Sequence, residues 1–149
     1  MSDHIEDTEY SRAQEEFLQD ERLQDDYAQE GKYRIVLCGA NAYDKKYYFN
    51  RNFDALPENI KEELRIICVL FTAEVGGIFT IGFTPTGDLV MDTAAEDGDY
   101  LYDEIGSGLL IKKIRQTKKE LFQSLAVYYK VKFLHMDPSV LLEEDEEEQ

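Results

Sequence analysis

The rhythm of apolar and polar positions divides the chain into an acidic opening, a patterned middle and an acidic close. Residues 8–30 are rich in Gln, Glu, Asp and Arg, with Tyr10, Ala13, Phe17 and Tyr27 as a sparse apolar stripe. So thin a face predicts a weakly held or partner-dependent helix, and Gly31 suits its stop. Tyr33 to Cys38 is an apolar, β-branched run of strand length, broken by Gly39-Ala40-Asn41. Lys45 to Asn50 reads as a second strand, paired with the first as a hairpin around a Gly39–Asp44 loop.

Pro57 suits the first turn of a helix. Behind it, Ile60, Leu64, Ile67, Cys68, Phe71 and Val75 recur at helical spacing, with Glu58, Lys61, Glu62 and Arg65 outside. Ile66, Val69 and Leu70 make the later turns apolar all round, which predicts burial on several sides of that half. Gly76-Gly77 ends the helix. Ile78–Phe83 and Leu89–Met91 flank Thr84-Pro85-Thr86-Gly87-Asp88, where Pro presets φ and Gly permits φ > 0, so a second hairpin is expected. Ala94 to Gly98 reads as a loop. From Tyr100, Leu101, Ile105, Leu109, Ile111, Ile114, Leu121, Leu125 and Tyr128 keep an apolar helical face, which Gly106 and Gly108 weaken and threaten to split. Ala126 to Phe133 alternates enough to suit a helix end or a strand, and Pro138 closes the patterned part.

These elements predict an α+β domain: two hairpins in a roughly four-stranded antiparallel sheet, with helices packed mainly on one face. The expected organisation is an acidic N-terminal helix or flexible arm over 1–31, one domain over 32–136 and a disordered acidic tail over 137–149.

Charge sharpens that division. The formal net charge is −16. Residues 1–30 hold eleven acids against Arg12 and Arg22, residues 137–149 hold seven acids and no base, and the 14 acids and 14 bases between them cancel. The excess therefore lies on the ends, away from any cleft it would need to steer a substrate into. Phosphate backbones repel such a balance, so nucleic acid is a disfavoured partner. Neither a basic, apolar leader nor an apolar run of membrane-spanning length is present, and the expected location is the cytoplasm.

Catalytic chemistry finds few footholds. Cys38 and Cys68 lie among apolar neighbours without a paired thiol or an intervening His, which predicts buried free thiols and neither a zinc site nor a disulfide scaffold. His4 and His135 sit near the ends, and His135 is expected at the surface. The acids around Gly98 fail as a calcium loop, because Ala95 falls at a ligand position. Asp103 and Glu104 read as a helix start before they read as an acid–base pair. No cofactor and no metal is implied. Lys112, Lys113, Arg115, Lys118 and Lys119 crowd one segment, and Lys45, Lys46 and Arg51 mix with aromatics, which reads as core alternating with solvated surface before it reads as a single-strand platform.

The segments CGANAYDKKYYFN, LPENIKEELRIICVLFTAEVGGIFTI and DYLYDEIGSGLLIKKI resemble an uncharacterised family, a domain of unknown function found in small cytosolic proteins of clostridial Firmicutes. The resemblance spans roughly residues 32–133. It implies a bacterial cytosolic protein and supplies no activity or ligand. The reading of the residues leans away from an enzyme, toward a protein-interaction or regulatory module that binds a protein partner or itself. Its alternative is a small-molecule-binding domain or weak hydrolase on the 39–44 and 100–108 loops. The binding residues named on these grounds are Asn41, Tyr43, Lys45, Tyr47, Tyr48, Asp103, Glu104 and Ser107.

Overall fold

A computed structural model describes residues 35–141. The reading of residues 8–30 as a helix, and the run Glu143–Glu148, lie outside the described residues. Four strands form one antiparallel sheet: β1 (Ile35–Asn41), β2 (Lys46–Phe49), β3 (Ile78–Phe83) and β4 (Leu89–Ala94). Their order is β2-β1-β3-β4, so each hairpin contributes one central and one edge strand. Among the described residues, three α-helices accompany them: α1 (Glu58–Val75), α2 (Glu104–Thr117) and α3 (Lys119–Lys132). The fold class is α+β, as the pattern predicts.

Register assigns the two faces of the sheet. Ala40 lies opposite Tyr47 and Phe79, Cys38 opposite Phe49 and Ile81, and Phe83 opposite Ile35 and Leu89. Directly paired residues share a face, so these form the inner face. α1 packs on it through Phe71, whose ring stacks on Phe79 at 4.2 Å. α3 packs through Tyr129, stacked on Phe83 at 4.3 Å. Phe53, fully buried in a 3-10 turn after β2, joins Phe83, Tyr129 and Phe133 in one aromatic cluster. Buried Asn50 ties that turn to β1: its amide donates to the Val36 carbonyl at 2.8 Å and its carbonyl caps Asn52 N–H.

Several boundaries differ from expectation. Gly39 and Ala40 do not break β1, which runs on to Asn41; the turn is Ala42 to Lys45. Central pairing on both sides, Gly39 with Tyr48 and with Thr80, outweighs the weak strand preference of glycine. β4 continues through Thr93 to Ala94 because β3 pairs with it along its whole length. The last helical stretch begins at Glu104, with Tyr100 and Leu101 ahead of it. It divides at Lys118, and both glycines lie inside an unbroken α2. Residues 126–132 are helical. Beyond Met136, residues 138–141 make a helical turn with Pro138 leading, and Leu141 is buried.

The largest departure concerns α1. Its later turns are not enclosed: Leu70 is 61% exposed, and Ile66 and Val69 also face outward. One sheet covers one flank and α2 a second, so the third stays open.

Candidate functional site

The eight residues named from the sequence do not gather into one site. Asn41 closes the β1–β2 turn. Its carbonyl accepts from the N–H groups of Tyr43 and Asp44 at 2.9 and 3.2 Å, and its amide donates to Asp44 Oδ2. Tyr43 reaches across the sheet end. Its hydroxyl donates to Asp99 Oδ2 at 2.5 Å and accepts from Glu96 N–H at 3.0 Å. Burial first, then the Asp99 bond, raises the Tyr43 phenol above its ordinary value. Lys45 sits exposed at φ 53° in the turn.

Tyr47 and Tyr48 point to opposite faces, as strand neighbours must. Tyr47 shares the inner face with Ala40, and Tyr48 stands opposite Gly39 on the outer face. Burial, followed by the Cys38 and Cys68 thiols, raises the Tyr47 phenol strongly. The Tyr48 phenol is raised mainly by burial. The two thiols are free, buried and 3.7 Å apart, bridging β1 and α1. Burial, then the bond with Cys38, lifts the Cys68 thiol, which keeps it protonated and unreactive.

At the start of α2, Asp103 is a cap. Its carboxylate accepts from Gly106 N–H at 2.8 Å, and it fills the space a Cβ at position 106 would need. Glu104 is exposed in the first turn, and Ser107 is buried, accepting from the Tyr102 hydroxyl at 2.9 Å. Besides the Tyr43–Asp99 bond, the two loops meet at Gly77. Its carbonyl accepts from Ala42 N–H at 2.9 Å, and the Tyr102 ring lies against its Cα. His135 is exposed, as expected. Among the described residues, no group of three or more His, Cys, Asp or Glu side chains is placed to hold a metal ion.

Two concavities stand out among the described residues. One, of about 320 Å³, lies between the β1–β2 hairpin and α1, floored by Ala40, Val69, Thr72 and Ala73 and rimmed by Asn41, Lys45, Lys46 and Tyr47. The other, of about 440 Å³, runs between β4 and the α2–α3 pair, with Asp88, Arg115, Lys119 and Phe122 in its wall. Sequence reasoning placed Asn41, Lys45 and Tyr47 near a ligand surface, and three of the eight do share the first concavity. It did not find the second, whose walls come from segments far apart in the chain.

The most extended feature is apolar. Asp103 N–H meets the Val75 carbonyl at one end, and Lys118 Nζ meets Glu63 Oε1 at 2.8 Å at the other, so α2 runs antiparallel beside α1. α1 exposes Ile66 and Leu70, and α2 exposes Ile105 and Leu109, the latter two 80% and 65% exposed. Leu101, just ahead of α2, is 94% exposed. Helical spacing of three and four places the members on each helix in one row.

The pattern of one family runs through all of this, matching residues 34–137. The chain belongs to DUF6145, a family of unknown function. The DUF6145 match covers the sheet, all three helices and both concavities. No curated protein and no solved structure matches the chain. Among the described residues of this DUF6145 chain, no helix is long and apolar enough to cross a membrane.

Proposed function

We propose that the chain is a non-enzymatic interaction module that binds a second copy of itself through the outward stripe of α1 and α2. The observation that carries this reading is the exposure of Ile66, Leu70, Leu101, Ile105 and Leu109 on, and just ahead of, two adjacent helices. Contiguous exposed apolar surface marks an interaction site more often than scattered single residues do. Charge supports self-association. α1 carries four acids against two bases, and α2 three bases against one acid. A two-fold axis that lays α1 of one copy against α2 of the other therefore pairs opposite signs along both edges of the stripe.

Magnitudes permit it. Full burial of a Leu or Ile side chain is worth roughly 1.5–3 kcal/mol, and association costs on the order of 4–15 kcal/mol. Burying one such stripe already exceeds the lower end of that cost, and two stripes facing each other contribute about twice as much. Two free, buried thiols suit a reducing compartment, so the cytoplasm is the proposed location.

Sedimentation equilibrium on the full chain tests the idea. A dimer is expected at micromolar concentration, and Leu70→Glu combined with Ile105→Glu should return a monomer with an unchanged circular dichroism spectrum. A wild-type chain that stays monomeric at about 1 mM, where even a weak complex would form, refutes it.

The 320 Å³ concavity supports a second reading, a small anionic ligand held by Lys45 and Lys46 over an apolar floor. Thermal-shift screening against nucleotides and sugar phosphates checks it, since a ligand bound only by the folded state raises the melting temperature. No stabilisation by any of them removes it.

A further inference from the structure

The outer face of the sheet has no helix of the described chain on it. α1 and α3 both pack on the inner face, and α2 lies against those two helices. Register places Val36, Gly39 and Asn41 of β1 on the outer face, with Lys46 and Tyr48 of β2, Ile78, Thr80 and Gly82 of β3, and Val90 and Asp92 of β4. A one-layer antiparallel sheet that faces water on this side would carry polar residues there. Instead its centre is apolar and sealed: Val36 is 2% exposed, Ile78 0% and Thr80 1%. None of the three belongs to the core cluster formed with the helices. Among the described residues, the Thr80 hydroxyl finds no hydrogen-bond partner despite its burial.

Two positions on this face lack side chains. Gly39 lies opposite Thr80, and Gly82 lies opposite Val36 and Val90. Missing side chains at both positions imply a shallow channel across the two central strands, between Tyr48 of β2 and Val90 of β4. Glycine inside a strand often marks the place where another backbone comes close. We propose that this channel is the docking surface for the chain's own N-terminal segment, residues 8–30.

The chain's continuity favours that occupant. β1 begins at Ile35, at one end of a central strand, so the preceding residues start beside the channel. A helix of this segment's length would reach roughly 35 Å at 1.5 Å per residue, enough to cross a sheet whose longest strand extends about 23 Å at 3.3 Å per residue. Tyr10, Ala13 and Phe17 stand at helical spacing, which would give such a helix a short apolar row. The eight residues after Leu141 offer no comparable row, being acidic from Glu143 to Glu148. The assignment also explains a row too thin to hold a free helix: it needs only to fill one channel.

Full-length protein with labelled Ile, Leu and Val methyl groups tests the proposal by NMR. Nuclear Overhauser contacts are expected from the Val36 and Ile78 methyls to the rings of Tyr10 or Phe17. Amide exchange within residues 8–30 should be slowed at least about tenfold relative to the free peptide. Tyr10→Asp with Phe17→Asp, made in the full chain, should abolish both signals while the Phe71–Phe79 contacts of the inner face persist. Exchange at the free-peptide rate in the wild-type chain would overturn the assignment. So would contacts that appear only between differently labelled copies, which would make the occupant a second molecule.

Discussion

Gly77 offers the most discriminating perturbation, because its neighbour Gly76 serves as a control. Both have positive φ, 81° at Gly76 and 73° at Gly77. At Gly76 a Cβ would meet nothing within 4 Å. Its ψ of −166° completes a backbone region open essentially only to glycine, so Gly76→Ala should cost about 1–3 kcal/mol from backbone strain alone. At Gly77 a Cβ would stand 2.6 Å from the Ala94 carbonyl oxygen and 2.8 Å from a ring carbon of Tyr102. One of those neighbours is backbone, held in the β3–β4 ladder by the Ile78–Ala94 pairing, and cannot swing away. The left-handed conformation costs about 1–2 kcal/mol and overpacking a further 1–3 kcal/mol, so Gly77→Ala should lose about 2–5 kcal/mol.

Urea unfolding followed by circular dichroism reads both variants, with unchanged slope and a shifted midpoint expected. Tyr102→Ala in the Gly77→Ala background removes the ring but not the carbonyl. The double variant should therefore be more stable than additivity predicts, by about 0.5–3 kcal/mol. If Gly77→Ala costs no more than Gly76→Ala, or if the two changes are strictly additive, the reasoning from close approach fails.

The remaining predictions draw on other parts of the fold. Gly108 lies inside α2 with open space where a Cβ would go, so Gly108→Ala should stabilise the protein by up to about 1 kcal/mol, measured as a higher urea midpoint. Phe53→Ala should cost about 3–5 kcal/mol, because that fully buried ring contacts Phe83, Tyr129 and Phe133 at once; a loss below about 1 kcal/mol would deny the cluster its role. Stability should fall at alkaline pH. The folded state holds the Cys68 thiol and the Tyr47 and Tyr48 phenols protonated beyond their ordinary values of 9.0 and 10.0, the stability they lend is complete below those values, and it is lost as the unfolded chain releases the protons above them. Each such proton is worth up to about 1.4 kcal/mol per pH unit, and chemical unfolding between pH 8 and pH 11, paired with phenolate absorbance, follows the decline.

Local pattern carried much of the architecture and failed where distant segments decide. The Thr84–Asp88 turn was legible because proline and glycine fix its backbone directly; Gly87 N–H indeed donates to the Thr84 carbonyl at 2.9 Å. α1 was legible from its spacing. The strand order was not, since the β1–β3 pairing joins Val36 to Gly82 across the whole of α1. Gly39 read as a break because its neighbours in sequence are small, while its neighbours in space are strands on both sides. Leu70 read as core because an apolar ring around a helix suggests burial all round. A single layer of sheet and one flanking helix cannot supply that enclosure.

The candidate site failed in the sequence for a related reason. Asn41 and Asp103 were attractive as ligand groups, yet short polar side chains hydrogen-bond readily to nearby backbone, and the structure uses both in that way. Ser107 is engaged by Tyr102, and Tyr43 by Asp99, 56 positions away. With those groups committed to turns, caps and the join between loops, the polar side chains best placed to reach a ligand are Lys45 and Lys46 on one concavity and Arg115 and Lys119 on the other. Apolar surface is the larger resource for binding. It lies on opposite sides of the molecule, as the helical stripe and as the glycine-floored sheet channel, and salt should separate the two. Opposed charges border the stripe, and raising salt from 0.1 M to 1 M shortens the screening length from about 10 Å to about 3 Å, so pairing of two copies should lose its preferred orientation. The proposed occupant would meet the channel through Tyr10, Ala13 and Phe17, apolar contacts that salt does not oppose, so the same change should leave the N-terminal segment in place.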